Sequence, residues 1–339
     1  MNIIDSPLKA YLLKHIEDDL WSFTHDMCSS HVSLFTEMIE WHFGWERNSN
    51  PQMQGKRLRP LFLLLFCQAT GGNFLSALPA ATAIELIHNF TLIHDDIQDN
   101  SETRHNRTAL WKKYGAPQAI NTGDTLYSLA KIGLDRMQES YSCKTILTVS
   151  NLIDHTVFKL TTGQFLDMLF EGSIDITLDN YFEMINGKTA ALLMSCCMIG
   201  AILGSNDPVI ISKAGEFGLN LGLAFQIQDD YLGIWGNQAL TGKSNTNDLI
   251  TRKLTLPIIF GIQKRGQFAE KWKTMGKSRQ DLSELINYLE IEGSKSFTLD
   301  LAKEYSKKAM DILQAIFIIN DEYSSLLMNI TKDLVSREK

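Results

Sequence analysis

The sequence predicts an all-α protein, and three observations carry that expectation. Apolar residues recur at helical spacing: Leu86, Phe90, Ile93 and Ile97 follow i, i+4, i+7, i+11 along one stripe. The apolar runs 190–203 and 219–227 are rich in Ala, Leu and Gly rather than in alternating β-branched residues, so they read as buried helices. Helix breakers are sparse, with 7 Pro and 22 Gly in 339 residues. There is no internal repeat, low-complexity tract or long linker. We therefore expect one all-α domain over 1–339.

Composition narrows the function. Hydrophobic residues are 44% and charged residues 21% of the chain, which is globular and not disordered. Lys+Arg is 32 against 39 Asp+Glu, a net charge of −7. That balance argues against a general nucleic-acid binder but leaves room for a local basic site. No apolar run approaches the ~18–20 residues of a membrane span, Leu61–Cys67 being the nearest, so none is expected. Asp5, Lys9, Lys14, Glu17 and Asp18 interrupt the first residues, which fits neither a secretory signal nor a transit peptide. The 5 cysteines, Cys28, Cys67, Cys143, Cys196 and Cys197, form no CxxC pair. They predict reduced thiols and a cytoplasmic protein, with Cys196 and Cys197 in the core. His15, His25, His31, His42 and His155 have no supporting ligand cluster and read as structural or solvent-facing.

The chemistry-bearing residues follow in chain order. Loops are expected over Gly44–Gly55, Asn100–Thr108, Gly204–Pro208, Gly236–Thr251 and Lys264–Gly266. GKRLRP places Lys56, Arg57 and Arg59 before a helix that Pro60 can begin. A helix N-terminus with forked arginine donors suits a phosphate, although a surface basic loop looks the same in sequence. HDDIQD follows an apolar stripe. Asp95 and Asp99 lie about 40° apart on a helix, one turn above each other. Two such carboxylates repel unless a cation joins them. Oxygen-only ligands favour Mg²⁺, completed by substrate phosphate; a solvated acidic face is the alternative. Asp229 and Asp230 end a second apolar stretch, LGLAFQIQDD. Arg104 and Arg107 follow the first acidic motif, and Lys188, Lys243 and Lys253 are further basic candidates.

Taken together, GKRLRP, LIHDDIQD with Arg104, GQFLD, GKTA, FQIQDD and KLTLP, in this order over Gly55–Pro257, resemble the trans-isoprenyl diphosphate synthases of the polyprenyl synthetase family. The resemblance implies a homodimeric prenyl elongase, a helical bundle around a central cavity with its core motifs in 55–257 and further helices over 258–339. An allylic diphosphate held by three Mg²⁺ ionises, the double bond of isopentenyl diphosphate attacks, and a proton leaves to the departing pyrophosphate. It implies Asp95, Asp99 and Asp229 as metal ligands, with Asp96 and Asp230 supporting them. Arg104, Lys188 and Lys243 would clamp the allylic diphosphate. Lys56, Arg59 and His88 would hold isopentenyl diphosphate, with Arg57 nearby. Thr189 and Gln226 would lie beside the cation and the diphosphate, with Gln164 and Asp167 as further polar groups. The i, i+7, i+11 spacing of His88, Asp95 and Asp99 puts them on one stripe, which agrees with these roles.

Two positions depart from the family pattern. Gly233 stands where a third Asp is usual, and His105 where a second Arg commonly contacts isopentenyl diphosphate. The first predicts weaker or altered metal binding, and the second a partial charge substitute near neutral pH. By the same resemblance, Phe90, five residues before Asp95, with small Thr91 beside it, implies a geranylgeranyl (C20) product, with farnesyl (C15) and C25 products left open. Helix geometry alone points to Thr91, about 40° from Asp95. Two other readings stay open: a terpene cyclase on the same scaffold, needing no isopentenyl diphosphate, and a non-catalytic regulatory subunit.

Overall fold

The computed structural model describes residues 6–28, 33–45, 55–171, 175–236, 247–274, 279–317 and 321–335. Helices form almost all of it, as the periodicity predicts. They are α1 (Pro7–Cys28), α2 (Ser33–Phe43), α3 (Leu58–Ala69), α4 (Phe74–Gln98), α5 (Leu110–Tyr114), α6 (Ala116–Gly133), α7 (Cys143–Phe170), α8 (Leu178–Ile185), α9 (Ala191–Gly204) and α10 (Pro208–Trp235). The rest are α11 (Asn247–Ile250), α12 (Leu256–Lys264), α13 (Gln267–Thr274), α14 (Arg279–Ile291), α15 (Ser294–Ile316) and α16 (Glu322–Val335).

The chain divides into two compact units, each drawn from three segments. The first comprises Met1–Val157, Ser195–Ser212 and Ile319–Leu327. Its centre is α3, where every residue from Leu61 to Cys67 is buried, packed beside α4. Asn73 caps α4 by accepting from Leu75 N–H at 3.0 Å. The second unit comprises Phe158–Met194, Lys213–Ile318 and Met328–Lys339. Its core gathers Tyr181, Ile185, Ile227, Leu256, Phe268 and Leu285 from α8, α10, α12, α13 and α14.

Three local expectations are revised. Within the predicted loop Asn100–Thr108 lies a small hairpin, β1 (Thr103–Arg104) and β2 (Arg107–Thr108), paired Thr103 to Thr108 and Arg104 to Arg107. His105 (φ 51°) and Asn106 (φ 60°) make its turn, both left-handed as a two-residue hairpin requires. The helix after GKRLRP starts at Leu58, so Pro60 sits third, where its missing N–H still costs nothing. A membrane-length apolar stretch does exist. α8, a π-helical turn (Asn186–Ala190) and α9 continue one another, so Leu178–Gly204 is long and apolar enough to cross a membrane. Most of it is buried in the protein, as in a core helix. In sequence the polar NGKT of the π turn looks like a break and hides the continuity of the two helices. The five cysteines are free, and Cys196 and Cys197 are buried as expected.

Candidate functional site

In the first unit, α4 carries the HDDIQD motif at its C-terminal end. The negative pole of the helix dipole lies there, the last turn holds no basic residue, and Asp99 is the C-cap. Asp99 N–H donates to Asp95 C=O at 2.8 Å, stacking the two carboxylate-bearing residues one turn apart. Asp95 is part-exposed and Asp99 exposed, whereas Asp96 is 2% exposed. Adjacent helical residues point about 100° apart, so Asp96 turns inward. Arg104 from β1 grips it, with Nε 3.1 and 3.2 Å from the two carboxylate oxygens and a further bond from Nη2. Burial raises the Asp96 carboxyl above its ordinary value, and Arg104 works against that rise. An all-oxygen pair at a helix C-terminus suits a hard cation, so the residues fit Mg²⁺. Among the described residues no three His, Cys, Asp or Glu converge on one point.

The basic residues of this unit lie close together. Arg57 caps α3 in the left-handed region (φ 47°, ψ 34°) and turns its side chain inward. Its guanidinium meets Glu17 at 2.9 Å and Glu85 at 2.9 Å and is 6% exposed. Arg57 thus holds the turn from inside, while its neighbours Lys56 and Arg59 carry the remaining basic groups. Arg59 Nη1 is 3.0 Å from His88 Nε2. Burial, then Arg59 and Arg104, push His88 well below the usual histidine range, so it is neutral and accepts from Arg59. Burial, then Arg104, Arg57 and Lys56, also lower His105. Arg57 and Arg104 thus act on both histidines, with Arg59 beside His88 and Lys56 near His105. Phe90 packs on His94 (4.8 Å) and Tyr127 of α6 (5.6 Å), and Thr91 Oγ1 donates to His88 C=O at 2.8 Å.

The second unit builds its site around the π turn. Gly163 of α7 lies so close to this turn that a Cβ there would stand 2.2 Å from Lys188 N. That approach brings Asp167 of GQFLD to Lys188 Nζ at 2.5 Å, with Lys253 Nζ at 3.6 Å. Burial alone would raise the Asp167 carboxyl, but Lys253 and Lys188 outweigh it and hold it below its ordinary value. π turns occur disproportionately at functional sites, and this one presents Lys188 and Thr189. Thr189 Oγ1 donates to Gln226 Oε1 at 2.7 Å, and Gln226 Nε2 donates to Asp230 Oδ1 at 2.9 Å. Asp230, 5% exposed, also accepts from Tyr181 OH (2.7 Å) and Leu256 N–H (2.9 Å). Burial and then Asp230 raise the Tyr181 phenol well above its usual range, so it stays a donor. Asp229 is exposed. Each acidic pair thus has one anchored, buried member and an outward one. Gln164 is buried, with neither amide atom hydrogen bonded among the described residues. Lys243 lies outside the described residues.

The polyprenyl synthetase family model matches residues 47–290. The chain belongs to the polyprenyl synthetase family. It is 36% identical over 269 residues to a geranylgeranyl diphosphate synthase of Mycobacterium tuberculosis, covering 78% of this chain and 76% of that protein. The geranylgeranyl pyrophosphate synthetase of Pyrococcus horikoshii matches with a TM-score of 0.87 and 30% identity over 98% of each chain. A polyprenyl synthase from Caulobacter crescentus, complexed with calcium and isoprenyl diphosphate, matches with a TM-score of 0.81 and 28% identity over 98% of each chain. The all-α class and the trans-prenyltransferase activity expected of this polyprenyl synthetase both stand.

Sequence reasoning passed over Glu17, Glu85, Asn89, Tyr181 and His42. Glu85 had a visible signal, a lone carboxylate inside an apolar helix run. Tyr181 had none, because its partner Asp230 is 49 positions away.

Proposed function

We propose that this enzyme condenses an allylic diphosphate with isopentenyl diphosphate and releases geranylgeranyl diphosphate. The observation that carries this reading is the basic cluster of the first unit. Lys56, Arg59, His88 and His105 supply donors for a diphosphate apart from the carboxylates that suit metal. A cyclase acting on one diphosphate has no use for such a second site. The name of the Mycobacterium tuberculosis relative supports the C20 product.

In this reading Asp95 and Asp99 in the first unit and Asp229 in the second would hold Mg²⁺, three ions in all, which would supply positive charge to offset that gathering on pyrophosphate. Arg104, Lys188 and Lys243 bind the allylic diphosphate, and Lys253 shares Asp167 with Lys188. Lys56, Arg59, His88 and His105 bind isopentenyl diphosphate. Arg57 holds their turn, Asp96 orients Arg104, and Asp230 orients Gln226. The allylic C–O bond breaks with its electron pair leaving on pyrophosphate. The isopentenyl double bond then forms the new C–C bond, and loss of a proton restores an alkene. Thr189 and Gln226 line the region of positive charge with oxygen dipoles. Phe90 and Thr91 limit the length of the chain.

The interleaving of both units along the sequence supports one catalytic domain over 1–339. Exposed Phe158, Phe165 and Leu169 form a stripe on α7 and support a homodimer. The free cysteines agree with a cytoplasmic setting. The test is mass spectrometry of products from farnesyl diphosphate, Mg²⁺ and labelled isopentenyl diphosphate. Label in a C20 diphosphate is expected. An unlabelled hydrocarbon or alcohol would instead make the enzyme a cyclase.

A further inference from the structure

The two basic segments of the first unit lie about 45 residues apart, and neither is rigid by itself. The Lys56–Arg59 turn enters α3 through a left-handed arginine, and the Arg104–His105 hairpin has two residues per strand. Two adjacent residues of α2 reach both. Trp41 Nε1–H donates to Thr108 C=O at 3.0 Å. Arg107, the strand partner of Arg104, lies 4.3 Å over the Trp41 ring, and Lys113 lies 3.3 Å over it. One turn earlier, Glu37 accepts from Tyr114 OH at 2.7 Å. The hairpin base is therefore clamped beside the pair that carries Arg104.

His42 serves the other segment. Its Nε2 is 3.0 Å from Asn89 Oδ1, and Asn89 Nδ2 is 3.0 Å from Glu85 Oε1. That same oxygen takes Arg57 Nη1 at 2.9 Å. Burial drives His42 down to about 3, so its ring is neutral and Nε2–H is assigned as the donor. Glu85 and Asn89 are buried, so the relay runs through dry protein, where such bonds hold firmly. It ends on Arg57, whose backbone neighbour is Lys56.

We propose that Trp41 and His42 are positioning residues that set the spacing of the two basic segments and so govern affinity for isopentenyl diphosphate. This rests on the assignment of Lys56, Arg59, His88 and His105 to that substrate. Neither residue touches the substrate itself in this scheme.

The experiment varies each substrate separately in steady state for Trp41→Phe, His42→Gln, His42→Leu and Lys56→Ala, with thermal melting alongside. Trp41→Phe keeps an aromatic ring beneath Arg107 but removes the N–H donor and narrows the ring, and His42→Gln keeps an amide donor. Trp41→Phe and His42→Leu are expected to raise KM for isopentenyl diphosphate about fivefold each, the worth of one hydrogen bond. In the His42 variants KM for the allylic diphosphate and kcat should stay within about twofold, and His42→Gln should restore part of the loss. Trp41→Phe, which loosens the hairpin that carries Arg104, should raise KM for the allylic diphosphate less than KM for isopentenyl diphosphate. Equal rises in both KM values, or no rise, would overturn the proposal. So would loss of folding in Trp41→Phe, which would make Trp41 a core strut. Lys56→Ala separates the two ideas. If it leaves KM for isopentenyl diphosphate unchanged, the substrate assignment fails. If it raises KM while Trp41→Phe does not, only the positioning role fails.

Discussion

Replacing Gly163 by Ala tests the link between helix packing and chemistry most directly. The added Cβ would stand 2.2 Å from Lys188 N, 2.7 Å from Gly187 C and 2.9 Å from Gly187 Cα. All three are backbone atoms, so no side-chain rotation relieves the overlap. To reach an ordinary contact near 3.4 Å, the π turn and α7 must part by about 1.2 Å. Overpacking of this kind costs about 1–3 kcal/mol. Alanine returns at most about 1 kcal/mol of helix propensity. A net loss of about 1–2 kcal/mol lowers the melting temperature by about 2–8 °C in a unit of this size. The catalytic effect should be larger. The displaced turn carries Lys188 and Thr189 away from Asp167 and Gln226, and a 1 Å misplacement can cost about 10²-fold in rate. Pyrophosphate release under saturating substrates gives kcat, and differential scanning fluorimetry gives stability. Wild-type values of both would refute the claim that the glycine contact sets the position of Lys188.

Asp95→Ala and Asp96→Ala should part company: the first should lower kcat at least about 10²-fold with an unchanged melting temperature. The second should lower the melting temperature, because it strands Arg104 beside an empty buried position. Identical behaviour of the two variants, in rate and melting together, would contradict the inward and outward division of the pair. Phe90→Ala removes the ring between His94 and Tyr127 and should shift products beyond C20, as read by mass spectrometry; an unchanged product would return Phe90 to a packing role. Stability should also fall in acid. His42 and His88 stay neutral in the fold but take up protons in the unfolded chain near pH 6.5, so the unfolded state binds more protons below that pH. Each then withdraws about 1.4 kcal/mol per pH unit as pH falls below 6.5. Urea unfolding at pH 7.5, 6.0 and 5.0 should show that slope, and His42→Gln should flatten it by about half; a flat profile in the unaltered enzyme would show that neither histidine is held neutral.

The sequence by itself determined whatever depends on near neighbours. A helix repeats every 3.6 residues, so the stripe of His88, Asp95 and Asp99 and the apolar faces were legible without coordinates. The sparse helix breakers and the ordered motifs likewise pointed to an all-helical prenyltransferase. Tertiary structure decided what depends on partners far along the chain. Nothing in an Asp-Asp pair says which carboxylate turns inward. Arg104 decides it for Asp96, while Tyr181 and the N–H of Leu256 decide it for Asp230. Nothing in GKRLRP says that Arg57 is drawn inside, because Glu17 and Glu85 that draw it there lie on α1 and α4. NGKT reads as a helix break until Gly163 and Gly187 let two backbones meet and a π turn carries the helix through. His42 and Trp41 looked ordinary for the same reason. Local spacing sets which residues share a face, but burial and hydrogen-bond partners are properties of the packed whole.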